Sequence, residues 1–174
     1  MLLVLLAGCM GESDTARIGR LESEFREVFT KSTTGFDSPE IQKKALQLTE
    51  AYETYANSHP EDTLAARYLS HAADLYEHTL GDLNKTISAL DRIMDRYPGT
   101  ALAEQALFRK AYIFHNVMRD LPRAKTLYET FLAKYPNSPL AESARFELNN
   151  LGVPESKLLD NLPVPLDTPK ESSF

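Results

Sequence analysis

Residues 97–136 read YPGTALAEQALFRKAYIFHNVMRDLPRAKTLYETFLAKYP. The stretch opens on Tyr97-Pro98 and closes on Tyr135-Pro136, and His59-Pro60 stands one period upstream, so a ring–proline pair recurs every 38 residues. Much more falls in register at that shift. Asp62, Thr100 and Ser138 coincide, all three of them residues favoured at helix N-caps. Leu64, Leu102 and Leu140 align, as do Ala65, Ala103 and Ala141, and Asp82-Leu83 returns as Asp120-Leu121. Ala73 and Tyr76 recur as Ala111 and Phe114, and Leu90 and Ile93 as Tyr128 and Phe131. A fixed period of this size marks a solenoid, in which each unit is one supersecondary element stacked on the next.

Working outward, each period holds two helical patterns. The spacing predicts a first helix of the first clear repeat over Thr63–Leu80, Gly81 in the turn, and a second helix over Leu83–Arg96. In the next repeat the helices are Ala101–Met118 and Leu121–Lys134, with Pro122 in the first turn, where its missing N–H is not needed. Upstream, Ile18, Leu21, Phe25 and Val28 step by three or four, one face of a helix over Thr15–Lys31. Ser38-Pro39 restarts a helix whose inner stripe is Ile41, Ala45, Leu48, Tyr52 and Tyr55, and His59-Pro60 ends it. Downstream, a helix over Pro139–Asn150 is stopped by Gly152. Val153-Pro154-Glu155 then opens a short cap with Leu158, Leu159 and Leu162. No stretch alternates with period two long enough for a strand. The expected class is all-α: a degenerate repeat over 15–60, full repeats over 61–98 and 99–136, a partial repeat with its capping helix over 137–162, and a disordered tail over 163–174.

The chain has 174 residues, enough for one domain with a continuous core. A formal net charge of −6 argues against a nucleic-acid surface, which needs clustered Lys/Arg. The one cysteine, Cys9, cannot form an internal disulfide. Ahead of it, Leu2-Leu3-Val4-Leu5-Leu6 is far short of the roughly 20 residues that span a bilayer as a helix. Leu6-Ala7-Gly8-Cys9 resembles the lipobox of bacterial lipoproteins. That resemblance implies removal of residues 1–8, acylation of Cys9 and membrane attachment through a tether over 9–14. Several acyl chains hold a protein stably where one gives only marginal binding. A basic segment is expected ahead of Met1, and Met10 in place of an aspartate after the cysteine points to the outer membrane.

The small–x₂–aromatic…small–x₃–large–x₂–large–x₄–Pro pattern is carried by Ala111, Phe114, Ala124, Tyr128, Phe131 and Pro136. Ala73, Tyr76, Thr86, Leu90, Ile93 and Pro98 carry it one period earlier. It resembles the tetratricopeptide repeat (TPR), which implies a right-handed superhelix of antiparallel helix pairs. Small residues let the two helices of a pair approach, and large ones fill the gap to the next. Period 38, Tyr-Pro stops and phrases such as YPNSPLAESARFEL are similar to repeats of cell-envelope proteins. These include the BamD-like lipoprotein of the outer-membrane β-barrel assembly machinery and the YbgF/CpoB-like periplasmic protein of the Tol-Pal system. The resemblance implies a non-catalytic scaffold on the periplasmic face of the outer membrane, with envelope proteins or peptide segments as partners. A lipobox directly followed by repeats is the BamD-like arrangement; a Tol-Pal or cell-division adaptor is the alternative, and a small helical enzyme or metal protein is the alternative of another class.

No Gly-rich phosphate loop, His-Glu-x-x-His or nucleophile elbow occurs, so neither catalysis nor a cofactor is expected. His71, Asp74 and His78 share one face of a helix, but seven residues of helix span about 10 Å, too far for both histidines on one Zn²⁺. They read as a solvated stripe. The candidate binding surface is the concave face built from the first helices of each pair. Counted from Ala73 and Ala111, it presents Arg67, Asp74 and His78, then Gln105, Phe108, Tyr112, His115 and Asn116. Aromatic, amide and imidazole groups suit capture of a peptide segment. Packing of Phe108 and Tyr112 against a neighbouring helix is the competing reading, shared by Phe146. Tyr97 and Tyr135 are expected to close each second helix against the following turn. The charged stretches Arg17–Arg26 and Asp91–Arg96 read as solvated faces.

Overall fold

A computed structural model describes residues 12–154 and Lys157. Cys9 with its leader, the capping leucines and the tail lie outside the described residues. Seven α-helices and no strand are found among those described. They are α1 (Asp14–Lys31), α2 (Pro39–Ser58), α3 (Thr63–His78), α4 (Leu83–Arg96), α5 (Ala101–Tyr112), α6 (Leu121–Lys134) and α7 (Ala141–Asn149). The chain divides into two compact units, up to Leu107 and from Phe108 onward. In the first, α1 packs on α2, α2 on α3 and α3 on α4; in the second, α6 packs on α7 and on the turn that follows α5. Consecutive helices joined by short turns make antiparallel pairs, the stacking unit of a TPR-type α-solenoid.

Local chemistry explains the helix boundaries. Asp62 accepts from the Leu64 N–H at 2.8 Å and Thr100 from Ala103 at 3.2 Å, so both cap their helices, whereas Ser138 accepts from Leu140 at 3.0 Å in the turn ahead of α7, which starts only at Ala141. Such a cap contributes about 1 kcal/mol to a typical helix. Asp82 and Asp120 do the same for the second helices, onto Lys85 and Arg123. Each pre-proline residue leaves the helix with nearly one backbone geometry: φ/ψ is −128°/59° at His59, −125°/48° at Tyr97 and −129°/57° at Tyr135. A following proline excludes the α region at these positions.

The register reaches side chains as well. Lys85 lies over the Tyr76 ring at 5.3 Å, and Arg123 over the Phe114 ring at 5.1 Å. Ala73 and Thr86 are fully buried between α3 and α4, the small pair that allows close approach. Leu69, Leu90 and Ile93 fill the first core; Tyr128 and Phe131, with no exposed surface, fill the second.

Several expectations are corrected. The tether ends sooner than 14, because Ser13 accepts from the Ala16 N–H and Asp14 is already helical. Ser38 precedes α2 but its side chain makes no cap bond, and a 3-10 turn over Gly35–Asp37 leads into it. The predicted helix Ala101–Met118 stops as α-helix at Tyr112, and Ile113–Val117 widen into a π turn. There the Met118 N–H reaches back to Ile113 and the Asp120 N–H to Phe114, both bonds longer in sequence than α-helix allows. Leu80 to Leu75 and Asp82 to Tyr76 are their in-register counterparts, so both repeats close their first helix in one way. The turn needs a left-handed residue: Gly81 supplies it at φ 65°, Arg119 at φ 55°.

Nor are the charged stretches merely solvated. Arg92 pairs with Glu53 and donates to Asn57 at 2.8 Å, while Arg96 donates to the Ala56 carbonyl, tying α4 to α2. Lys44 donates to Glu24 at 2.6 Å and Tyr52 to Glu22 at 2.8 Å, tying α2 to α1. Tyr97 donates its phenol hydrogen to the Pro60 carbonyl at 2.9 Å, so its side chain closes against the preceding turn, while its carbonyl accepts from the Thr100 hydroxyl of the following turn at 2.8 Å.

Candidate functional site

The predicted groove residues fall in both units, and each unit carries a concavity between alternate helices. In the first, Glu22, Phe25, Arg26 and Phe29 of α1 face His71, Asp74 and Leu75 of α3 across a floor of Leu48 and Tyr52. The space is about 390 Å³. Its floor is packed: Tyr52 is buried, stacks on Tyr68 at 5.1 Å and meets the His71 ring edge-on at 5.7 Å. Burial, reinforced by the Glu22 carboxylate, pushes the Tyr52 phenol well above its ordinary range. Phe25, Phe29 and Phe36 form a ring series with centroids 6.1 and 5.0 Å apart, Phe29 and Phe36 exposed.

Of the residues expected here, Asp74 lines the concavity, whereas Arg67, His78 and Gln105 are exposed elsewhere on α3 and α5. His71, Asp74 and His78 are all exposed, and no cluster of three or more metal-ligating side chains occurs among the described residues. The α1 contribution was not foreseen. Its signal was the Phe25/Phe29 pair, with Phe29 just off the buried stripe defined by Ile18 and Leu21.

The second unit holds a cavity of about 400 Å³ between the end of α5 and α7. Tyr112, His115, Asn116 and Arg119 line one side, Phe146, Glu147 and Asn150 the other, and Val153 and Pro154 close an end. Three predicted residues therefore come together: Tyr112, His115 and Asn116. Their settings differ from one another. Tyr112 is exposed, Asn116 is half-buried, and its Nδ2 donates weakly to the Tyr112 carbonyl at 3.4 Å. His115 is only 6% exposed, and its Nδ1 donates to Glu147 Oε2 at 2.9 Å. It is a brace in the cavity wall and not an open contact. Phe108 is half-buried and meets Tyr128 and Phe131 edge-on, at 5.9 and 5.7 Å, so it packs on α6. Its register partner Phe146 stays exposed.

Behind this wall lies Tyr128, its ring edge-on to His115 at 6.3 Å. Its hydroxyl is buried without a hydrogen-bond partner among the described residues. Burial, then the nearby Glu147 charge, pushes this phenol far above its ordinary range. Arg119 was missed by the sequence reading; its visible signal is that arginine stands where the preceding repeat has Gly81.

The family model of the tetratricopeptide repeat matches residues 68–100 and again 105–138. The first match runs from within α3 through α4, the second from within α5 through α6. No curated protein and no solved structure matches the chain. Tetratricopeptide repeats are generally non-catalytic modules for protein interaction, and the two repeats found here suggest a protein-interaction scaffold.

Proposed function

We propose that this protein is a lipid-anchored scaffold of the bacterial cell envelope that serves outer-membrane protein assembly in the manner of BamD-like lipoproteins. The observation that carries the reading is the order of parts: Leu6-Ala7-Gly8-Cys9, a short connection, then α1 and helix pairs leading into two tetratricopeptide repeats. An acyl group on Cys9 would hold the scaffold at the periplasmic face of the outer membrane. Confinement there raises its effective concentration for membrane partners. Each concavity has a side chain held by packing and hydrogen bonds, Tyr52 in the first and His115 in the second, so part of the surface a bound segment meets needs little ordering.

The deciding experiment is affinity capture from membranes with full-length protein and its Cys9→Ala variant, read by mass spectrometry of both protein and partners. Acylated wild type that retains β-barrel assembly components, with their loss in Cys9→Ala, supports the reading. Recovery of Tol-Pal or peptidoglycan-synthesis proteins by both forms replaces it with an adaptor role. An unmodified Cys9 in the native organism removes the envelope assignment and leaves the interaction scaffold.

A further inference from the structure

Repeat register makes one residue conspicuous. The turn after each first helix requires a left-handed backbone, and the first repeat meets that need with Gly81 at φ 65°. In the second repeat the same turn, closed by equivalent hydrogen bonds, carries Arg119 at φ 55°. A side chain is disfavoured there by its Cβ, and glycine is the residue without that penalty. Strain of this kind, carried where a relaxed alternative exists, points to a use for the side chain.

The surroundings say what use. The Arg119 guanidinium makes no hydrogen bond or ion pair among the described residues, and it lines the 400 Å³ cavity. The one carboxylate lining that cavity, Glu147, is already engaged by buried His115. Tyr112 and Phe146, 43% and 37% exposed, stand on its two sides. Asn116 uses its Nδ2 on a backbone carbonyl, which leaves its Oδ1 to accept from a visiting N–H.

We propose that this cavity seats an extended partner segment in which an internal acidic side chain pairs with Arg119 while an adjacent apolar side chain lies between Tyr112 and Phe146. A planar guanidinium donates two parallel hydrogen bonds to a carboxylate, and aromatic walls supply contact area at small entropic cost. This rests on the scaffold reading above and names the partner chemistry of one of its two concavities.

The test is an NMR titration of the full chain with end-blocked peptides, acetyl-Gly-Ser-Leu-Asp-Leu-Ser-Gly-amide and its Asn-for-Asp analogue. The aspartyl peptide should shift Arg119, Tyr112 and Phe146 signals and bind at least fivefold more tightly than the analogue. Arg119→Gly, which the turn tolerates, should remove that difference while the protein stays folded by its amide spectrum. Equal binding of the two peptides, an undiminished preference in Arg119→Gly, or shifts confined to the first unit would each overturn the proposal. So would binding of only a peptide ending in a free carboxylate, Gly-Ser-Leu-Leu-COOH. Membrane capture of assembly components that is unchanged in Arg119→Gly would show that the scaffold works through another surface, a result separate from failure of the scaffold reading itself.

Discussion

His115 in the π turn and Glu147 on α7 are joined by a 2.9 Å hydrogen bond, with the imidazole 6% exposed. The bond spans the cavity wall and fastens α7 to the end of the second repeat. Truncating one partner leaves a buried polar group unsatisfied, which costs about 1–3 kcal/mol. His115→Ala and Glu147→Ala are each expected to destabilise by about that amount in urea unfolding. The double variant should cost clearly less than the sum; strict additivity would show that the bond does not couple the two elements.

Arg119 and Gly81 should respond in opposite directions to exchange. Arg119→Gly relieves a left-handed side chain but loosens the unfolded chain, for a net gain of about 0.5–1 kcal/mol. Gly81→Ala should lose about 1–2 kcal/mol from backbone strain alone, since an added Cβ there meets no atom within 4 Å. Thermal melts of the two variants check the pair; an unchanged Tm in both would refute the left-handed assignment.

Tyr128 offers a substitution that removes a cost. Its ring fills the second core while its hydroxyl finds no partner among the described residues, and the first repeat has Leu90 in register. Tyr128→Phe keeps the ring and deletes the orphan, so stability should rise by up to about 1 kcal/mol. A loss above 1 kcal/mol in denaturant unfolding would mean that the hydroxyl is bonded in solution.

Tyr55 and Asp62 link stability to pH at both ends of the scale. Tyr55 donates to Asp62 Oδ2 at 2.6 Å. That bond, ahead of burial, pushes the phenol up to about 12. The same bond, ahead of the Leu64 N–H, holds the Asp62 carboxyl below the ordinary range. For the aspartate the contribution is complete above its ordinary value near 3.8 and is lost as pH falls through the lower folded value. For the phenol it is complete below 10 and lost as pH rises through about 12. Tyr55→Phe should therefore be less stable near pH 7 and show shallower decline at both extremes. Parallel pH profiles for variant and wild type would disprove the linkage.

The helices, their caps and their stops were legible because each is decided by neighbours in sequence. Asp62 and Thr100 cap through bonds two or three residues long, and Ser138 bonds as locally in the turn before α7. His59, Tyr97 and Tyr135 leave the helix because the next residue is proline. Register then carried the pairing of small and large residues, so the all-α repeat follows from the sequence alone. The inward or outward aim of a helix position beyond Tyr112 does not. Counting at the α-helical period placed His115 on an open face, but the π turn over Ile113–Val117 shifts positions around the axis and turns it into the wall. Arg92 on Glu53, Tyr97 on the Pro60 carbonyl and Phe108 on Tyr128 are likewise settled by which helix stands opposite. Only the tertiary structure supplies that neighbour, because burial and pairing depend on distances between segments far apart in the chain.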